Sequence, residues 1–498
     1  MRKSGWLVIT GLLLTVICVS GVSAQSLEGK VIEHRLENGL TFLLYERHQA
    51  PIVACHIYVN VGSANDRLGE TGIAHITEHI AFKGTPTIGT TNYEAEKQLL
   101  DKLDELWQQI DQERQKGDKA DQQKLEQLQR EFEQTQQNAA QYVVSEAYSK
   151  IMEENGAVGL NASTSRDETQ YFVSLPANRL ELWMMLEADR LAHTVPREFY
   201  KEREVILEER RMRTDAAPVG TLIEQFLATA FIAHPYGFPG IGWASDIENL
   251  TIHQLMEFFE AYYAPQNMVI AIVGDIDPDN VIRMAEKYFG VLPARSSDPR
   301  IRTVEPQQPG ERRVQVEWDA NPYLVIGYHR PSVNHEDDLV FDVISFLLSS
   351  GRTSQLYKHL VEEQQIAIHV QTIVAFPGKK YPTLFMVIGV PLAPHTIEEL
   401  EAALFAELEK LKTESVDEQE LQKVINNVEA GFINSLSSNS GLAAQLTFAQ
   451  SVYGDWRSIE KQVEQIKQIT AEDIMRVART YFTKQNRTVA WLVNKNVE

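Results

Sequence analysis

Two short segments far apart in the chain have to meet, and that requirement limits the fold more than anything in the composition. The first is His75-Ile76-Thr77-Glu78-His79, flanked by apolar residues at helical spacing; the second is Glu202-Arg203-Glu204-Val205-Ile206-Leu207-Glu208-Glu209. On a helix, His75 and His79 are four apart and share one face, close enough to bind a single ion. Neutral imidazoles suit Zn²⁺, and a catalytic zinc keeps three protein ligands and one open position. Glu78 lies on the same face, three residues after His75, placed to take a proton from water. The order is H-x-x-E-H, the reverse of the commoner H-E-x-x-H. Read together, the two segments imply a zinc peptidase site. The bland alternative is a surface helix carrying two unrelated histidines and a solvated glutamate.

Further motifs follow in order. Leu160-Asn161-Ala162-Ser163-Thr164-Ser165 precedes Asp167-Glu168-Thr169-Gln170-Tyr171, then come His234-Pro235-Tyr236-Gly237, Tyr263-Ala264-Pro265-Gln266-Asn267-Met268 and Val273-Gly274-Asp275. With these, the sequence resembles the pitrilysin-type (inverzincin) metallopeptidases from about Val31 to Val493. That family includes the insulin-degrading enzyme and the β subunit of the mitochondrial processing peptidase. The resemblance implies one Zn²⁺ per chain, held by His75, His79 and Glu209, with Glu78 as the general base. It makes Glu202, two turns before Glu209 on the same helix face, a partner that orients a ligand imidazole; a solvated helix charge is the other reading. Glu208 rivals Glu209 but lies about 100° round the helix, and the family register selects Glu209. The segment holding Asn161 and Ala162 resembles the family's substrate-side edge strand, to which a peptide adds as a further strand.

A chain of 498 residues, 43% hydrophobic and 23% charged, can form two or more ordered domains. Its net charge of -22 argues against nucleic acid or anionic membrane as a partner. Arg2-Lys3, an apolar run from Trp6 to Val19, and Val22-Ser23-Ala24 have the order of a secretory signal peptide over residues 1–24. Export, to a periplasm or outside the cell, is therefore expected, with no membrane span after leader removal; an uncleaved anchor is the alternative. Cleavage after Ala24 leaves Cys55 as the one cysteine, so no internal disulfide can form. Its place in an alternating strand makes it a small buried hydrophobe.

The expected fold class is α+β. Two strands flank the Asn38-Gly39 hairpin signal, a third runs from Pro51 to Val61, and the His75 helix follows a loop. Residues 25–295 form a zinc peptidase domain, 296–313 a Pro- and Arg-containing linker, and 314–498 a second domain without H-x-x-E-H. The resemblance makes them two related α+β domains, one half of a clam-like chamber. Between the His75 helix and the edge strand, Leu99, Leu103, Leu106 and Ile110 form a helical stripe, Lys116 to Asp121 breaks it, and Leu125, Leu128 and Phe132 resume it. A helical hairpin inserted at about 100–148 is the reading, standing out as a surface projection.

Active relatives in this family also carry an Arg and a Tyr seven residues apart, facing the zinc. Here the register places Val361 and Ile368 at those positions, and neither can donate a hydrogen bond to an oxyanion. Arg352 and Tyr357 stand nearby at the wrong spacing. The expected partners are peptide substrates and a related subunit that carries the Arg–Tyr pair and lacks the zinc site. The activity so implied is an exported zinc metalloendopeptidase acting on oligopeptides or short unfolded polypeptides. The alternatives are a non-catalytic assembly subunit and a peptide-binding protein of the same fold.

Overall fold

The structure, a computed structural model, describes residues 27–295 and 298–495. The leader segment predicted for 1–24 lies outside them. Strands β1 (Val31–Arg35) and β2 (Thr41–Glu46) pair antiparallel. Gly39 between them takes φ 93°, a conformation glycine adopts without cost to a side chain. With β3 (Ile52–Val59), β4 (Val158–Thr164), β5 (Thr169–Pro176) and β6 (Met268–Gly274) they form one sheet, ordered β1-β2-β6-β3-β5-β4. A second sheet contains β7 (Arg312–Trp318), β8 (Tyr323–Arg330), β9 (Ala367–Phe376), β10 (Thr383–Pro391) and β11 (Arg487–Asn494), ordered β7-β11-β8-β10-β9.

The two sheets have one plan. Without β1, the first reads β2-β6-β3-β5-β4, with β2 and β6 parallel and every later pair antiparallel. The second repeats that order and those directions, with β7 and β11 as its parallel pair. The architecture is α+β with two related domains. Helix Ile73–Ile80 follows β3, and helix Asp338–Ser349 holds the same place after β8.

Each sheet packs one face on its own domain's helices and lends the other face to its neighbour. Leu43, Val269, Ala271 and Val273 of the first sheet are buried against Leu442, Ala443 and Leu446 of helix Asn439–Phe448, from the second half of the chain. In return, Phe226, Leu227 and Ala230 of helix Pro218–Ala230 pack on Val325, Leu384 and Met386 of the second sheet. Gly327 makes room for this, because a Cβ there would lie 2.5 Å from the Phe226 ring. Buried polar groups lock the same seam. Asp167 accepts the Tyr236 O–H at 2.6 Å and the N–H groups of Lys379 and Lys380 at 2.6 and 3.0 Å. The chain between the sheets is pinned too: Glu305 accepts the N–H groups of Ile232, Ala233 and His234 at 2.9–3.0 Å.

The inserted hairpin consists of helices Tyr93–Arg114 and Gln122–Ala140, so it begins and ends earlier than the 100–148 read from the sequence. The apolar stripe hid the start; Asn92, whose side chain caps the Ala95 N–H, sets it. Only its outer part is a projection, with Leu106, Ile110, Leu125 and Leu128 forming a small core of their own. Leu100, Leu103, Trp107 and Ala139 at its base join the main core, whereas Leu99 is only half-buried. Arg197 ties that base down, holding buried Glu96 at 2.5 and 2.9 Å and the carbonyls of Lys83 and Ile88 at 2.5 and 3.1 Å. Cys55 is buried and free. Among the described residues, no helix is long and apolar enough to cross a membrane.

Candidate metal centre

Helix Ile73–Ile80 buries Ile73, Ile76, Thr77 and Ile80, which turns His75, Glu78 and His79 away from the core. Its start is held by Asp66, a buried carboxylate that accepts the N–H groups of Gly72 and Ala74 at 2.8 and 3.2 Å. Burial pushes the Asp66 carboxyl up to about 8, against the pull of those two amides and of Arg166. The second segment lies on helix Phe199–Arg210, whose other face is gripped by the inserted hairpin. There the Tyr200 O–H meets Asp104 at 3.2 Å, and the Arg203 guanidinium lies 4.0 Å from the centre of the Trp107 ring.

The packing of these two helices brings His75, His79 and Glu209 together, with one ligand atom from each within 4.8 Å of the others. Glu209 Oε2 lies 3.8 Å from His75 Nε2 and 3.9 Å from His79 Nε2. A tetrahedral ion with bonds of about 2.0–2.1 Å puts its donors roughly 3.3 Å apart, so small side-chain rotations close the set. Two imidazole nitrogens and one carboxylate oxygen match the chemistry of a catalytic zinc site with an open position. Burial, helped by His79 and Arg213, lowers the His75 pKa to about 3, leaving a neutral imidazole able to ligate. Glu208, the rival, is half exposed and pairs with Arg211.

The remaining predicted residues take distinct places. Glu202 Oε2 lies 3.2 Å from His79 Nδ1, and its Oε1 lies 2.5 Å from Lys83 Nζ. Burial works against the Glu202 charge, but hydrogen bonds from His79 and Lys83 prevail and hold its carboxyl down to about 2. Glu78 is pushed above the usual carboxylate range by burial, with Thr164 hydrogen bonds opposing, and its Oε2 has no hydrogen-bond partner. Thr164 ends β4, an edge strand that among the described residues pairs with β5 alone, and on it Asn161 is exposed and Ala162 half-buried. Beyond the metal cluster lies a cleft of about 380 Å³, which His75, Thr164 and Arg213 help to line. Val361, Ile368, Arg352 and Tyr357 are not among its lining residues. Val361 packs on the second core, and Ile368 is exposed on β9.

Sequence profiles match in two places. One described as "Insulinase (Peptidase family M16)" covers residues 41–101, and one described as "Peptidase M16 inactive domain" covers 249–428. The "Zinc protease PqqE" of Helicobacter pylori is 29% identical over 487 residues, 96% of each chain. A crystal structure of a protease from Helicobacter pylori superposes with a TM-score of 0.77 at 27% identity, over 93% of this chain and 99% of that one. The chain resembles M16 peptidases in both of its domains. Among other relatives, an uncharacterized zinc protease of Mycobacterium bovis is 25% identical over 86% of this chain and 85% of its own. The periplasmic protease PqqL of Escherichia coli shares the fold, with a TM-score of 0.69 at 18% identity. That match covers 94% of this chain but 48% of PqqL, and PqqL's first half alone matches with a TM-score of 0.67 at 19% identity.

Four residues at the site carry no role in the sequence reading: Asp66, Lys83, Thr164 and Arg213. Arg213 was within reach, since it stands four residues after Glu209 on a helix and its Nη1 lies 2.6 Å from Glu209 Oε1. Asp66 sits in a loop, where nothing local marks it as a cap.

Proposed function

We propose that the chain is an exported zinc metalloendopeptidase acting on oligopeptides or short unfolded polypeptides. The observation that carries this is the convergence of His75, His79 and Glu209 beside Glu78, at the end of an edge strand. The three ligand side chains would hold one zinc ion, which when bound supplies a Lewis acid to polarise the scissile carbonyl and acidify water. Strand binding and proton transfer belong to the chain's own residues. The free edge of β4, at Asn161 and Ala162, binds the peptide backbone as an added strand. Glu78 takes a proton from the attacking water and returns it to the leaving amine. Glu202 keeps the proton of His79 on Nδ1, so that Nε2 faces the ion. Lys83 keeps Glu202 charged.

The oxyanion lacks a donor at Val361 and Ile368, and PqqL joins this fold to as much chain again. On both grounds the protein acts as the zinc-bearing half of a pair, its partner a related chain that supplies an Arg and a Tyr and has no zinc site. The same missing donors favour one second reading, a peptide-binding protein of this fold that does not cut. Cleavage of a mixed quenched-peptide library by the mature chain, alone and with a co-expressed relative, decides between them. Chelator-sensitive cleavage that needs the relative supports the pair, strong cleavage by the chain alone refutes the pair, and zinc-loaded inactivity in both refutes the peptidase.

A further inference from the structure

Glu209 presents its two carboxylate oxygens to different partners. Oε2 lies 3.8 Å from His75 Nε2 and 3.9 Å from His79 Nε2, within the metal cluster. Oε1 meets Arg213 Nη1 at 2.6 Å. The arginines that follow Glu209 differ in what they hold. Arg210 is buried and grips Glu224 at 2.9 Å, Asp215 at 3.0 Å and the Gly242 carbonyl at 2.7 Å. Arg211 pairs with the half-exposed Glu208. Arg213 stands four residues after the ligand, on a π-helical turn, Arg211–Asp215, and reaches back to it. Its side chain is 73% exposed, yet the backbone beneath it is fixed. A Cβ on Gly220 would lie 2.0 Å from the Arg213 carbonyl oxygen, so helix Pro218–Ala230 packs directly on this turn. The Thr221 hydroxyl donates to the Thr214 carbonyl at 2.7 Å and fastens it further.

An ion pair with so exposed a cation contributes little to folding. The chemistry of the ligand gives it a purpose. A carboxylate can bind a metal through one oxygen or through both, and with both it takes up the position that a catalytic site leaves open. We infer that Arg213 is a positioning residue that occupies Oε1 of Glu209, so that Glu209 is a one-oxygen ligand and one position on the ion stays open. Arg213 contributes no ligand atom and acts on the metal only through Glu209. Glu202 and Arg213 then differ in sign. Glu202 orients a ligand, and its loss weakens the metal. Arg213 withholds an oxygen and sets a positive charge near a cation, so its loss should leave zinc bound at least as tightly. Turnover should nonetheless fall about 10–100-fold, the range for groups that orient metal ligands. This inference rests on the zinc peptidase reading, so its test reads the metal's coordination as well as cleavage.

Wild type, Arg213→Met, Arg213→Lys and, as a control, Arg211→Met are loaded with Co²⁺ in place of zinc. Visible absorption then reports the coordination number, because four-coordinate Co²⁺ absorbs more strongly than five-coordinate Co²⁺. Arg213→Met should show the weaker, five-coordinate spectrum. Arg213→Lys restores a cation at Oε1 and should recover part of the wild-type intensity, and Arg211→Met should match wild type. Chelator competition should give Arg213→Met a zinc affinity no lower than wild type, and turnover with the partner chain should fall in kcat with KM little changed. The same Co²⁺ spectrum in every protein, or zinc bound about tenfold more weakly by Arg213→Met, overturns the assignment. The expected spectra without peptide cleavage by any of the proteins support it and refute the peptidase reading. A wild type that binds neither metal overturns both.

Discussion

Removing the Glu202 carboxylate should weaken zinc binding without dismantling the helix that carries Glu209. Glu202 contributes no ligand atom to the cluster, yet its Oε2 lies 3.2 Å from His79 Nδ1 and its Oε1 2.5 Å from Lys83 Nζ. In Glu202→Ala, His79 loses the acceptor that fixes its tautomer and ring plane, while Lys83 keeps Glu198 at 3.4 Å. Losing such a partner costs about 10–100-fold in metal affinity, or roughly 1.4–2.8 kcal/mol at 1.4 kcal/mol per tenfold. Glu202→Gln keeps an oxygen for His79 but not the charge, so it should fall between wild type and Ala. Competition with a chelator of known affinity measures each constant, and circular dichroism checks that the helices persist. Glu208→Ala is the control, since Glu208 points to solvent and pairs with Arg211. A Glu202→Ala chain that binds zinc within twofold of wild type would refute the tautomer argument.

Other consequences concern stability. Tyr236→Phe leaves Asp167 without one of three donors at the domain seam, and should cost about 1–3 kcal/mol in urea denaturation. Arg197→Met strands the fully buried Glu96 carboxylate and frees the chain after the His75 helix. It should cost about 3–5 kcal/mol, much of it recovered by adding Glu96→Gln. Burial lowers the pKa of His56, which packs against Thr447 of the second half, to about 4 from its usual 6.5. As pH falls through that window the unfolded chain takes up the proton first, so stability present above pH 6.5 declines. At 1.36 kcal/mol per unit, up to about 3 kcal/mol is lost by pH 4. A His56→Gln chain should show a flatter melting-temperature profile across the same range.

What could be read from the sequence was local or periodic. The i, i+4 spacing of His75 and His79 states a face, and a face is enough to bring two ligands together; the edge strand at Asn161 was legible only through the motif resemblance. The reciprocal packing of helices Pro218–Ala230 and Asn439–Phe448 was not legible, because an amphipathic stripe fits either sheet equally well. Only the assembled sheets, with Gly327 cleared for Phe226, decide between them. The hairpin was visible from its leucines, but its grip on the Glu209 helix depends on Trp107, Asp104 and Glu96 meeting residues about a hundred positions away. Asp66 escaped for a related reason: it caps a helix from seven residues upstream of its start, outside any local capping pattern.

The central claim is that Glu78 performs proton transfer at a zinc site formed by His75, His79 and Glu209. The direct measurement is peptide turnover by matched wild-type and Glu78→Gln proteins, each assayed with the partner chain and with bound zinc quantified. The account predicts one zinc per chain in both proteins and a loss of turnover in the variant of at least about a hundredfold, the lower end for general-base catalysis. Equal turnover at equal zinc content would contradict it.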